Sequence, residues 1–106
     1  MYLIEIKTSF QGFHRWKNAP KEVEFLRDWH RHLFEVTARF EVVHGERDIE
    51  FFIMKKKIDK YLWNYYADSK FETSCENIAE NIAKKFKATS VTVREDQENA
   101  GIYINQ

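Results

Sequence analysis

His30-Arg31-His32-Leu33-Phe34-Glu35-Val36-Thr37-Ala38-Arg39-Phe40-Glu41-Val42 is the stretch that decides the fold. Phe34, Val36, Ala38, Phe40 and Val42 fall on one parity, and Glu35, Thr37, Arg39 and Glu41 on the other. A period of two is the signature of a half-buried strand. His30 and His32 share the parity of the apolar set, so both imidazoles point toward the covered face. Gly45 marks the turn that follows.

Upstream, Leu3 to His14 alternates in the same way. Ile4, Ile6, Thr8, Phe10, Gly12 and His14 share one face; Glu5, Lys7, Ser9 and Gln11 share the other. Between the two strands runs an aromatic, polar loop, Arg15 to Trp29. Its Asn18-Ala19-Pro20 opening suits a short helical turn over Glu22 to Leu26. Downstream, Ile49 to Phe51 reads as the start of a short extended piece. Met54, Ile58, Tyr61, Leu62 and Tyr65 then recur at helical spacing between Phe52 and Tyr66. Thr73-Ser74-Cys75-Glu76 has the form of a capping box that starts a second helix, which buries Ile78, Ala79, Ile82 and Phe86. Thr89 to Glu95 returns to alternation with Val91 and Val93 inward, and Gly101 to Ile104 is a last short strand. The order ββααββ predicts an α+β fold, a four-stranded antiparallel sheet with two helices on one face. Open sheet edges are a hazard unless neighbours cover them, so edge-to-edge assembly into a homo-oligomer is expected.

A length of 106 residues fits one domain, 1–106. With 43% hydrophobic residues and only 3 Gly and 1 Pro, the chain has a core to bury. Its 17 basic and 17 acidic residues cancel, so it lacks the basic excess that a partner of nucleic-acid phosphates carries. Arg15, Trp16, Arg27, Trp29 and Arg31 could face phosphates or stack a base, but they read better as a pocket rim or a subunit contact, and a nucleic-acid partner is not expected. The one cysteine, Cys75, leaves no intramolecular disulfide and fits a reducing compartment. Glu5 interrupts the N-terminal apolar residues, and no apolar stretch approaches the roughly 20 residues that cross a bilayer. The expectation is a soluble, cytoplasmic protein without membrane contact.

Three of the four histidines stand at inward positions near strand ends: His14, His30 and His32. If the first two strands pair as a hairpin across the 15–29 loop, the three rings converge. Residues two apart on a strand project from one face, and a third histidine leaves one tetrahedral position of a zinc ion open. Spacing alone leaves two readings open, a zinc chelate or ordinary inward histidines with hydrogen-bond partners. His44, beside Gly45, reads as a solvated turn residue.

The segments Phe10-Gln11-Gly12-Phe13-His14, His30-Arg31-His32, Ser74-Cys75-Glu76-Asn77 and Val93-Arg94-Glu95 resemble, in that order, the 6-pyruvoyl- and 6-carboxytetrahydropterin synthase family. The likeness runs from the first strand to the last and implies the tunnelling fold (T-fold), assembled as a trimer or hexamer. It implies zinc on His14, His30 and His32. It also implies that Glu95 grips the guanidine-like edge of a pterin, a task that suits a carboxylate accepting two parallel N–H groups. Ser74 and Cys75 match the residues that hold the pterin at the start of the family's second helix. Capping alone, with Cys75 as a small buried residue, explains the same pair.

The departures concern catalysis. Where the family has a cysteine four residues before its His-Gly-His, this chain has Leu26, which carries no proton. Arg31 replaces the middle glycine, and the Asp-His pair after the first helix has no counterpart. The chain therefore reads as a divergent member without the usual catalytic Cys and His. Glu24 and Asp28 are the carboxylates near enough in sequence to stand in as a base, and both also read as solvated loop charges. Two functions follow: a zinc-dependent lyase- or synthase-like enzyme acting on a pterin or purine-like compound, or a non-catalytic pterin- or nucleotide-binding protein that uses the inter-subunit pocket for sequestering or sensing.

Overall fold

The computed structural model describes residues 1–106. β1 (Tyr2–His14) and β2 (His30–Val42) form an antiparallel ladder in unbroken register, from Tyr2 opposite Val42 to His14 opposite His30. Between them, Pro20 caps a kinked 3-10 helix, Lys21–Arg27. That loop is stapled by Trp16 N–H to the Leu26 carbonyl at 2.7 Å and by Arg27 Nε to the Ala19 carbonyl at 2.7 Å. The remaining elements are α1 (Phe51–Tyr65), β3 (Lys70–Phe71), α2 (Cys75–Phe86), β4 (Ser90–Glu95) and β5 (Ala100–Ile104). The sheet order is β3-β1-β2-β4-β5.

The alternating residues do what their parity requires. Phe34, Val36, Ala38, Val91 and Val93 are fully buried beneath the helices. Both helices share one core with the sheet, through Ile58 and Leu62 of α1 and Ile78, Ala79, Ile82 and Ala83 of α2. Truncating a buried phenylalanine such as Phe34 to alanine would cost about 3–5 kcal/mol, so this layer holds the strand ends in place. No helix is long and apolar enough to cross a membrane.

Four details differ from the sequence reading. The sheet has five strands, because β3 adds beside Phe13 and His14 in parallel. This strand is only two residues long and has no alternation to betray it. It is set by Asp68, at φ 52°, and by backbone bonds such as Phe13 N–H to the Ser69 carbonyl at 2.9 Å. The extended piece over Ile49 to Phe51 is absent, because the Glu50 side chain accepts from Phe52 and Ile53 N–H and starts α1 there. Ser74, not Thr73, is the N-cap of α2, accepting from Asn77 N–H at 3.2 Å. Tyr65 stays exposed at 62% while Tyr66 takes the buried place, and Phe86 packs only partly against the core.

One close approach needs glycine. A Cβ on Gly101 in β5 would lie 2.5 Å from the backbone nitrogen of Glu76 and 2.8 Å from the carbonyl carbon of Cys75. The first turn of α2 therefore rests directly on β5, and backbone cannot give way as a side chain can. Gly101→Ala is expected to destabilise by about 1–3 kcal/mol or more, measured by denaturant unfolding. Wild-type stability in this variant would show that α2 does not sit so close.

Candidate functional site

The β1–β2 register places His14 directly opposite His30, with His32 two residues along the same face. Facing and diagonal side chains on one face of a ladder lie within reach of each other. The ring centroids are 4.6 Å apart for His14 and His30, 5.0 Å for His14 and His32, and 4.8 Å for His30 and His32. One nitrogen from each ring can be chosen so that all three lie within 4.8 Å of one another. Gly12 opposes His32, and the space left by its missing side chain is taken by Phe71. Phe34 and Phe71 lie against the His14 ring, at 5.1 and 5.7 Å between centroids.

Hydrogen bonds orient two of the rings. Nδ1–H of His30 donates to the Asp28 backbone carbonyl at 2.8 Å. A carbonyl only accepts, so the Nδ1 proton is required and the lone pair of the neutral ring sits on Nε2. That Nε2 is buried and has no hydrogen-bond partner. A buried unpaired nitrogen costs about 1–3 kcal/mol, a penalty that a bound cation would remove. His32 Nδ1 faces the carboxylate of Asp96. A ring held by a carbonyl or carboxylate at one nitrogen and free at the other is the usual supporting pattern of a metal-binding histidine. The triad is thus placed to hold a metal, and the donor set fits one.

Glu95 ends β4 with inward parity, opposite Phe34. Its Oε2 accepts from His14 Nε2 at 2.9 Å and lies 3.8 Å from His32 Nε2. The hydrogen bond from His14 is the main reason its carboxyl is held below the ordinary carboxylate value, working against partial burial. Asp96 is likewise held low, chiefly by His32 and then by Leu33 N–H. Beside Glu95, burial pushes the Cys75 thiol up to about 12, and the glutamate charge adds to the effect. A raised pKa favours the thiol form of Cys75 over the thiolate, the more nucleophilic of the two.

These groups border a cavity of about 510 Å³. His14 and His30 line one side, Glu95 another, and Ser74 and Cys75 at the start of α2 a third. Leu26 also reaches the cavity, at the position the resemblance reserves for a cysteine. Glu24 and Asp28 do not line it. The Glu24 side chain is 63% exposed and lies 3.9 Å from Arg27, and it is the Asp28 carbonyl, not its carboxylate, that meets His30. Three wall groups were given no role from the sequence: Glu72, Asn77 and Asn99. Arg15, read there as a pocket-rim residue, does line the cavity, and its guanidinium lies 4.5 Å from the centre of the Trp29 ring. Asp96 was also missed, because its partner is 64 residues away in sequence.

No protein-family model matches the chain, and no curated protein matches it. Among solved structures, it is similar to the 6-pyruvoyl tetrahydropterin synthase of Caenorhabditis elegans, with 18% sequence identity over 99% of this chain and 96% of that one. The TM-score is 0.67, a likeness of fold that makes this chain a T-fold.

A group whose pKa is lower in the folded state gives stability that is present above its unfolded value and lost as pH falls through the folded one. Glu95 is such a group. In metal-free protein, Glu95→Gln is expected to flatten the loss of stability below the ordinary glutamate value of 4.5. Denaturant unfolding across that acid range measures it. Parallel curves for variant and parent would mean that the His14–Glu95 contact does not form.

Proposed function

We propose that the chain is a zinc-dependent, synthase- or lyase-like enzyme acting on a pterin or purine-like compound. The observation that carries this reading is the buried, unpartnered Nε2 of His30 within a cluster of three imidazoles. His14, His30 and His32 would hold the ion, leaving one tetrahedral position open to the cavity. When bound, zinc supplies a Lewis acid that polarises a carbonyl or hydroxyl oxygen. The rest is done by the chain. The Glu95 carboxylate accepts two parallel N–H groups of the ring edge and fixes its orientation. Ser74 and Cys75 would form the adjoining wall at the start of α2.

A second reading has its own support. Leu26 carries no proton, and the Cys75 thiol is held up at about 12, so the cavity lacks the family's means of moving one. A binding protein that captures a pterin or nucleotide for sequestering or sensing fits these two facts.

One experiment separates them. Purified protein is assayed for zinc by elemental analysis, then supplied with saturating zinc and a panel of dihydropterin triphosphates and guanine-like compounds. Zinc-dependent product is expected, with His30→Ala losing the metal. Glu95→Gln should weaken ligand binding by about 1.5–3 kcal/mol, the worth of a hydrogen bond to a charged group. Binding without product rejects the enzyme and leaves the second reading. Absence of zinc from a zinc-saturated sample rejects the metal.

We also propose that copies join into a ring, a trimer or hexamer. The outer edge of β1 from Tyr2 to Phe10 carries no strand, since β3 covers only Phe13 and His14. At the other end, β5 exposes Ile102 and Ile104 at 58% and 62%. Two different open edges meet head to tail, which closes into a ring. Light scattering is expected to give a multiple of the 12.9 kDa chain mass, and a species of that mass alone rejects the ring.

A further inference from the structure

We propose that Asp96 is a positioning residue that fixes the tautomer of His32 and so leaves the lone pair on Nε2, which lies 3.8 Å from Glu95 Oε2 at the edge of the three-imidazole cluster. For what occupies that cluster, the inference rests on the zinc reading; for the tautomer it does not.

The argument starts from the ladder between β2 and β4. Its register runs out at Phe34 opposite Glu95, so the next pair in sequence is Leu33 and Asp96. An ordinary antiparallel pair at this place would exchange two backbone hydrogen bonds. Half of that exchange occurs, since Asp96 N–H donates to the Leu33 carbonyl at 2.8 Å. The other half is made by the side chain, with Leu33 N–H donating to Asp96 Oδ1 at 2.8 Å. The substitution has a backbone cause. Asp96 and Gln97 stand at φ 49° and 65°, in the tight turn between β4 and β5 where the chain leaves the ladder. Aspartate and asparagine are the non-glycine residues that adopt this region most readily.

With Oδ1 occupied by Leu33, the carboxylate cannot swing, and its second oxygen, Oδ2, meets Nδ1 of His32. A carboxylate only accepts, so Nδ1 carries the proton and the neutral ring has its lone pair on Nε2. The same turn is anchored by Glu95, whose N–H donates to the Asn99 carbonyl at 3.0 Å and whose carbonyl accepts from Glu98 N–H at 2.8 Å. One short turn thus sets the ligand-gripping carboxylate and the orientation of a histidine together.

Asparagine is the decisive substitution, because it keeps the shape and the tolerance for positive φ but has one acceptor and one donor. With its oxygen on Leu33 N–H, its NH₂ faces His32 Nδ1 and demands the opposite tautomer. With its oxygen on His32, its NH₂ opposes the Leu33 N–H. Asp96→Gly removes both side-chain bonds, suits the positive φ and keeps the backbone bond to Leu33.

The test uses the full chain. In metal-free protein, with pH raised until the ring is neutral, imidazole ¹⁵N spectra are expected to show His32 protonated on Nδ1, and Asp96→Asn to move the proton toward Nε2. Zinc titration should then show affinity reduced by about 10- to 100-fold in both variants, the usual cost of losing such a support. A parent His32 protonated on Nε2, or spectra unchanged by Asp96→Asn, overturns the proposal. So does lower thermal stability with unchanged spectra and unchanged zinc affinity, since Asp96 would then be a turn anchor only. If the parent chain takes up no zinc, the metal reading falls while the tautomer spectra still decide the role of Asp96.

Discussion

The antiparallel register of β1 against β2 is the constraint on which the site depends. Side chains on a strand alternate with a period of two, so a slip of one residue would send every inward group of that strand outward. The register is held by Ile6, Phe10, Phe34, Val36, Ala38 and Phe40, which are buried against the helices and cannot exchange places with Glu35 or Arg39. His14 opposite His30 is the last pair of this ladder. The histidines therefore need no dedicated scaffold. The forces that bury the phenylalanines also bring three imidazoles within 5.0 Å of one another, centroid to centroid.

A second constraint supplies the opposite wall. α2 is strongly two-sided, with Cys75, Ile78, Ala79, Ile82 and Ala83 all buried on one stripe. Its first turn lies on Gly101, so the position of the Ser74 cap is fixed by backbone contact rather than by side-chain packing. The cavity results from these two placements. Its floor is the end of the β1–β2 ladder, and its side is the start of a helix that cannot move closer or farther without disturbing β5.

Period-two patterns were legible because burial enforces them over many residues, which is why β1, β2 and β4 could be read nearly to their ends. The histidine cluster was legible for the same reason, since parity and strand order determine which side chains converge. β3 was not, because two residues carry no period and its partners are backbone groups. The cap of α2 was misplaced by one residue because Thr73 and Ser74 are both good cap formers, and the close seat of α2 on Gly101 decides between them only in three dimensions. Asp96 lay hidden for a different reason. Its value comes from a positive φ and from Leu33 and His32, distant in sequence, and a turn rich in Asp, Gln, Glu and Asn signals only that the chain reverses.

The charges around the triad favour a cation more than a free substrate anion. Glu95 and Asp96 place two carboxylates against His14 and His32, and His14 and His32 are in turn the largest causes of the lowered pKa of these acids. A metal ion at the centre would neutralise the pair of carboxylates from within. Cys75 moves the other way, since burial drives its thiol toward S–H and the neighbouring Glu95 charge adds to the effect. The same carboxylates that would stabilise a cation among the imidazoles thus add to the effect of burial on the nearest sulfur. The arrangement has the electrostatics to hold a cation among the three imidazoles. Leu26 carries no proton, and among the carboxylates that line the cavity Glu72 lies 3.5 Å from the Nε of Arg15.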